Sequence, residues 1–348
     1  MVDTKVQDSP LAITQNVQKL TISSSEPLLT EDKHRYLLFP VVYQNVYDMY
    51  TKAKRLFWFP DEIDFAKDKR DFQDFSAKEQ TFILHVLAFF AVSDGIVIEN
   101  LVENFCGEVQ MAEARAFYAI QAAIETIHSE VYSKLLNEYC RSEDEKKRLF
   151  NGFETIPGIK AKCKFAEKWM SPSKPFGERL VAFAVVEGLL FSSSFASIFW
   201  IKEQHPGKCS GLTTSNEFIS RDEGLHTDFA VLLFKELLVN KPTKAVVRSI
   251  LIDGVDVETA FVKEAISEDL EHLKQTDMIA YVRFVANRLC KTLINEALFD
   301  DCSKICPLKF MEKLSLEGKS NFFEKRVTEY ALPTAEENIF DLDDSDDF

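Results

Sequence analysis

Glu125-Thr-Ile-His128 and Glu223-Gly-Leu-His226 each set a carboxylate and an imidazole three residues apart in apolar, helix-compatible surroundings. Positions i and i+3 share one helix face, so each pair can reach one metal centre. A lone acid in a long apolar run precedes each pair. Asp94, in AFFAVSDGIV, stands 31 residues before Glu125, and Glu187, in VAFAVVEGLLF, stands 36 residues before Glu223. One acid from each of two helices, plus a Glu-x-x-His from each of two others, is the ligand set of a carboxylate-bridged two-metal site inside a four-helix bundle. Four carboxylates and two imidazoles are oxygen and nitrogen donors, which suit iron or manganese better than thiolate-seeking zinc. Two divalent ions offset the four carboxylate charges, whereas the bare acids could share an apolar interior only by taking up protons. A third Glu-x-x-His, Glu31 to His34, lies in polar sequence with no apolar acid upstream and reads as chance. The plainer alternative is two surface ion-pair sites and two odd core acids. It must accept unpaired buried charge, which proteins almost never do.

Tyr132 follows His128 by four residues, on the same helix face. A core tyrosine with a bonded hydroxyl is the ordinary reading of such a residue. Its neighbours suggest more. Phe191 and Phe195 fall four and eight residues after Glu187, and Ile219 falls four before Glu223. All three can crowd the metal side of their helices and shield an oxidised phenol, although they would serve equally as plain core. Asp222 directly precedes Glu223, about 100° around the helix from the metal face. There it can fix a ligand imidazole from behind, or simply pair with a nearby Arg.

These residues need long helices to position them. Of the 348 residues 46% are apolar, and Gly and Pro number only 11 each, which fits one large helical domain. Helices are expected near 40–57, 76–104, 108–139, 144–153, 177–203, 215–239, 243–268 and 277–298. Ser76-x-x-Glu79 reads as a capping box opening the helix that carries Asp94. Leu180 to Trp200 carries a single charge, Glu187, over 21 residues. It is long enough to span a membrane, but that acid and Ser192, Ser193 and Ser194 favour a buried bundle helix.

Longer stretches carry a family resemblance: HVLAFFAVSDGIVIENL, IETIHSEVYSKLL, GLTTSNEFISRDEGLH and SLEGKSNFFEKRV among them. From about Leu37 to Tyr330 the chain resembles the small, radical-generating subunit of class I ribonucleotide reductase, of the eukaryotic type. The resemblance implies an all-α, ferritin-like helical bundle with a di-metal carboxylate site in its four-helix core. It implies two iron ions per subunit, oxo-bridged and favoured over manganese, held by Asp94, Glu125, His128, Glu187, Glu223 and His226, with Glu125 and Glu223 bridging. Tyr132 would carry the stable radical. Trp58, in RLFWFPDEID, Asp222 and Tyr330, in KRVTEYALP, would pass the oxidising equivalent to a large subunit, where ribonucleoside diphosphates become deoxyribonucleotides. The implied assembly is a small-subunit homodimer, or a heterodimer with an isoform. The family's tail commonly ends Phe-x-Leu-Asp-x-Asp-Phe. Here Phe340, Leu342 and Phe348 follow that pattern with two more residues between Leu342 and Phe348.

Composition sets further bounds. The net charge is −15, and residues 336–348 hold seven acids and no base. Nucleic-acid binding, which draws on basic patches, is not expected. The acidic tail could be merely solvating, but its apolar punctuation suggests a peptide that docks in a basic-rimmed groove. Residues 1–35 read as a flexible arm, 36–330 as the helical domain and 331–348 as the docking tail. Seven scattered Cys with no CxxC pair fit reduced thiols in the cytoplasm. No N-terminal signal pattern is visible, and no membrane association is expected. Three rivals share parts of the pattern. An iron-storage ferroxidase needs neither Tyr132 nor Trp58. A di-metal oxidase or desaturase needs a tunnel to the metals, which Phe191 and Phe195 oppose. A non-catalytic paralogue would not need all six ligands and Tyr132.

Overall fold

The capping box forms at Ser76. Its Oγ accepts from Glu79 N, and Glu79 Oε2 accepts from Ser76 N at 2.8 Å, opening helix α2. In this computed structural model, which describes residues 26–31, 33, 35–266 and 270–311, nine longer helices build the body. They are α1 (Gln44–Arg55), α2 (Ala77–Asn100), α3 (Ala112–Tyr139), α4 (Pro157–Trp169), α5 (Phe176–Val185), α6 (Ser192–Gln204), α7 (Ser210–Leu232), α8 (Lys244–Ala265) and α9 (Gln275–Ile294). No strand occurs among the described residues. Helix α2 is apolar nearly all round; it buries one side in the bundle and leaves Ala91, Val92, Ile96 and Ile98 partly exposed. It packs most extensively on α3, while α7 lies against α5, α6 and α3.

Three departures from the expected helices bear on function. The stretch expected as one helix over 177–203 is interrupted by a π-helical turn, Val186–Leu190, which contains Glu187. Such turns gather at functional sites because the extra residue re-aims a side chain at the cost of regular backbone bonding. Helix α7 starts at Ser210, earlier than residue 215, because its cap comes from far upstream. Asp68, on the short helix Asp68–Gln73, accepts from Gly211 N at 3.0 Å and Leu212 N at 2.6 Å. Helix α4 was not anticipated. Pro157 opens it, and its buried face (Ile159, Phe165, Ala166, Trp169) includes Lys162, a residue that disguises an apolar stripe.

Lys162 is paired inside the core. Its Nζ lies 2.7 Å from Glu258 Oε2, donates to Leu190 O at 2.6 Å, and sits 3.4 Å from the centre of the Phe89 ring. Ser193 Oγ donates to the other Glu258 oxygen. Burial pulls the Lys162 ammonium down to about 8 and pushes the Glu258 carboxyl up, while each is supported by the other's charge. Lys162 thereby ties α8 to the end of the π-helical turn. Lys162→Met strands a buried carboxylate and is expected to cost about 3–5 kcal/mol in denaturant unfolding, with Glu258→Leu added to it restoring most of the loss. A single-variant loss below about 1 kcal/mol, the scale of a surface pair, would show that the pair anchors nothing.

Part of the segment expected as an arm is packed on the body. Leu28 is fully buried, its carbonyl accepts from Gln110 N at 2.7 Å, and Glu26 accepts from Asn240 N at 2.9 Å. Two helical stretches, Ala77–Glu108 and Phe176–Gln204, are long and apolar enough to cross a membrane by length and composition. The second is almost wholly buried within the protein, and each carries an acid of the site described next.

Candidate metal centre

Four helical segments converge on one buried point. Asp94 comes from α2, Glu125 and His128 from α3, Glu187 from the π-helical turn, and Glu223 and His226 from α7. None of the six is more than 2% exposed. The ligand atoms of Glu125, Glu187, Glu223 and His226 lie within 4.8 Å of one another. The two central carboxylates each span both imidazoles. Glu125 Oε2 is 3.3 Å from His128 Nδ1, while its Oε1 is 2.8 Å from His226 Nδ1. Glu223 does the same, with Oε1 3.0 Å from His128 Nδ1 and Oε2 3.3 Å from His226 Nδ1. Carboxylates that each face two imidazole nitrogens could serve two cations at once. Glu187 belongs to that cluster, and Asp94 lies outside it but within reach of the charges of Glu125, His128, Glu223 and His226; each has a buried oxygen with no hydrogen-bond donor among the described residues. Acceptors without donors in a dry core are what a cation satisfies, so these residues fit a metal pair.

Helix contact is close here. A Cβ on Gly188 would lie 2.8 Å from the Thr227 side chain, so the residue beside Glu187 must be Gly for α7 to approach. Burial, and then the neighbouring charges of Glu125 and Glu223 respectively, push the Asp94 and Glu187 carboxyls well up. Burial acts the same way on Glu223, but hydrogen bonds from Glu187, His128 and His226 outweigh it and hold that carboxyl low. Burial opposes charge on His226 too, yet the carboxylates around it, Glu125 foremost, lift it to about 9. The cluster thus keeps protons where cations could stand.

Behind His128 runs a hydrogen-bonded chain. His128 Nε2 is 3.3 Å from Asp222 Oδ2, and Trp58 Nε1 donates to that same oxygen at 2.8 Å. Arg221 holds Asp222 Oδ1 through Nε at 3.1 Å and Nη2 at 2.9 Å, and also donates to Leu56 O at 2.8 Å. The two readings of Asp222, imidazole support and Arg pairing, therefore coexist on its two oxygens. Trp58 is 2% exposed, with its ring stacked toward His128.

Tyr132 is fully buried, and its hydroxyl has no hydrogen-bond partner among the described residues. Burial, followed by the charge of Asp94, raises that hydroxyl well above the ordinary tyrosine range. Its ring stacks on Phe90, with centroids 4.2 Å apart and planes within 3°. Phe195 and Phe191 meet Phe90 at 4.9 and 5.9 Å. Phe90 is thus the direct neighbour of Tyr132, and it went unnoticed in the sequence although it stands one helical turn before Asp94. Gln121, one turn before Glu125, was also missed; it is fully buried and donates to Glu187 Oε1 at 3.2 Å. Ile219 is buried on α7. Phe191 and Phe195 do not close the site off completely. A cavity of about 180 Å³, lined by Phe195 and Tyr281, runs between Glu187 and the exposed Arg288. Tyr330, Phe340, Leu342 and Phe348 lie outside the described residues.

Glu223→Ala removes one of the two carboxylates that span both imidazoles. Changing residues that merely orient ligands already weakens metal binding about 10–100-fold, so a loss beyond about 100-fold is expected here. Metal content after gel filtration measures it, and two ions retained per chain would refute the bridging assignment.

A helical bundle with two carboxylates spanning two imidazoles and two more buried acids contributed by neighbouring helical segments defines a ferritin-like di-metal carboxylate protein. Comparison with known proteins narrows this. The family described as ribonucleotide reductase, small chain, matches residues 35–307, and the chain belongs to that family. It is 49% identical over 321 residues to the ribonucleoside-diphosphate reductase small chain of Vaccinia virus (strain Ankara), covering 91% of this chain and 99% of that one. It is likewise 49% identical over 326 residues to the protein of the same name from Yaba-like disease virus, covering 92% and 98%. Among solved structures, a ribonucleotide reductase homodimer from Saccharomyces cerevisiae matches with TM-score 0.71 and 31% identity over 83% of this chain and 92% of that one. A dimanganese protein from Streptococcus sanguinis, at 18% identity and TM-score 0.66 over 78% and 96%, shares the fold.

Proposed function

We propose that this chain is the radical-generating small subunit of ribonucleoside-diphosphate reductase, with Tyr132 as the residue that stores the oxidising equivalent. The observation that carries the reading is the Tyr132 hydroxyl. It is fully buried, has no hydrogen-bond partner, and stands one helical turn from a cluster fitted for two cations. Two iron ions held by Asp94, Glu125, His128, Glu187, Glu223 and His226 would supply, with dioxygen, the oxidising power; the carboxylate and imidazole donors suit iron or manganese, and iron is proposed on the resemblance to the eukaryotic-type small subunit. Loss of one electron from Tyr132 releases its hydroxyl proton, and Asp94 is the acid whose charge bears most on that hydroxyl. The apolar wall around Phe90 keeps water and reductants from the oxidised ring.

His128, Asp222 and Trp58 form the outlet from the site, and Tyr330 would continue it to the large subunit, which holds the ribonucleotide. We place the pair of small subunits, as a homodimer or with an isoform, in the cytoplasm. Seven cysteines without a disulfide are consistent with that compartment. Residues 331–348 would dock the large subunit through Phe340, Leu342 and Phe348. The test is reconstitution with the large subunit after aerobic ferrous loading. Deleting the last nine residues is expected to abolish ribonucleotide reduction and leave the tyrosyl radical signal unchanged. Full activity in the truncated protein would reject the tail as the docking element.

A further inference from the structure

A groove of about 1000 Å³ lies between the last turn of α9, the first turn of α8 and residues 235–243. Its walls carry Lys235, Lys241, Lys244, Arg288 and Lys291, all exposed, above a floor that includes Phe234 and Leu293. The chain has 56 acidic against 41 basic residues, so a patch taken at random would be acidic. Here five cations meet little opposition. Glu296 pairs with Lys244 at 2.7 Å, and Glu236, next to Lys235, is held by Asn45. Lys241 donates to the Lys235 carbonyl at 2.8 Å. Among the described residues neither Lys235 nor Lys291 is paired with an acid. A groove at the top of the size range of small-molecule pockets, about 300–1,000 Å³, has room for a peptide segment.

One segment of this chain has the complementary chemistry. Residues 336–348 hold seven acids and no base, punctuated by Ile339, Phe340, Leu342 and Phe348. The connection is short. Met311, the last described residue, lines a cavity that shares Arg288 and Thr292 with the groove. The 25 residues from Met311 to Glu336 would span about 28 Å as a coil, starting from a cavity that adjoins the groove at Arg288 and Thr292. Tethering adds an effective concentration in the millimolar range, so even weak charge contacts would be populated.

We infer that in the free protein the acidic segment 336–348 docks in this groove of its own chain, its carboxylates on Lys235, Lys241, Lys244, Arg288 and Lys291 and its apolar residues toward the floor. The contact is electrostatic and therefore salt-sensitive. Any partner that recognises the tail must first displace it, which builds a brake on association into the subunit. Docking of the tail on its own groove needs no large subunit, and the test contains none.

The full chain is prepared in light and heavy isotope forms, mixed equally, unfolded and refolded together so that subunits pair at random, and coupled at low ionic strength with a carbodiimide, which joins carboxylates to lysine amines at contact distance. Links between acids in 336–348 and Lys235, Lys241, Lys244 or Lys291 are expected, within one isotope label, and are lost at 0.5 M salt as expected for a Debye length of about 4 Å. A second measurement follows carboxypeptidase removal of the tail, which is expected to run at least threefold faster in K235E/K291E than in the equal-charge control K147E/K164E. Tail acids linked to lysines elsewhere, mixed-label links, or equal cleavage rates in the two variants would overturn the inference.

Discussion

Replacing Tyr132 by Phe is expected to leave a protein that folds, binds two metal ions per chain and docks the large subunit, yet shows no stable tyrosyl radical and no ribonucleotide reduction. The substitution is gentle structurally. Only the hydroxyl is lost, and that oxygen has no hydrogen-bond partner to strand. The ring face that stacks on Phe90 at 4.2 Å is preserved. Removing an unsatisfied buried hydroxyl is neutral or slightly stabilising, so the unfolding midpoint should not fall. A phenyl ring has no proton to release with its electron, so it cannot form the phenoxyl state. Electron paramagnetic resonance after aerobic ferrous loading reads the signal directly, with iron content measured on the same sample. An undiminished signal would place the radical on another residue.

The candidate site was readable in the sequence because helical spacing is rigid. Glu125 with His128, and Glu223 with His226, needed only a helix to share a face, and both helices formed. Asp94 and Glu187 stood out because charge is rare in apolar runs. What escaped depended on residues distant in the chain or on a departure from regular backbone. Phe90 follows the same one-turn logic as Phe191, but in a chain with 30 Phe nothing marks which one lies over Tyr132. Lys162 made α4 look amphipathic in the wrong way, since its partner Glu258 lies on α8. The start of α7 was hidden because its backbone donors are satisfied by Asp68 on another helix. The π-helical turn at Glu187 has no sequence signature; at its end the Lys162 ammonium meets the Leu190 carbonyl. Trp58 could not have been connected to His128 by spacing, and its place came from family resemblance alone. Yet it shares Asp222 with His128.

That shared oxygen sets the second large effect. Tyr132 is too deeply buried to meet a substrate on another subunit, so an oxidising equivalent stored there would have to leave through intermediate groups. Trp58 offers an oxidisable indole, hydrogen-bonded at 2.8 Å to the Asp222 oxygen that also lies 3.3 Å from His128 Nε2. Trp58→Phe removes both the indole and the N–H. Turnover is expected to drop at least about 100-fold, a barrier increase of about 2.7 kcal/mol, with metal content, the Tyr132 radical and large-subunit binding all retained. A merely structural role would be matched by disturbing the same pocket without removing the indole. Phe218 supplies that control, because its ring meets Trp58 edge-on at 5.2 Å. Phe218→Leu loosens the pocket yet leaves the Trp58–Asp222–His128 connection in place, and it is expected to keep most of the turnover. Equal losses in Trp58→Phe and Phe218→Leu would reduce Trp58 to a packing residue. Tyr330→Phe, assayed at saturating large subunit so that weaker docking cannot mimic a broken relay, tests the next station. Normal turnover there would end the route on this subunit at Trp58.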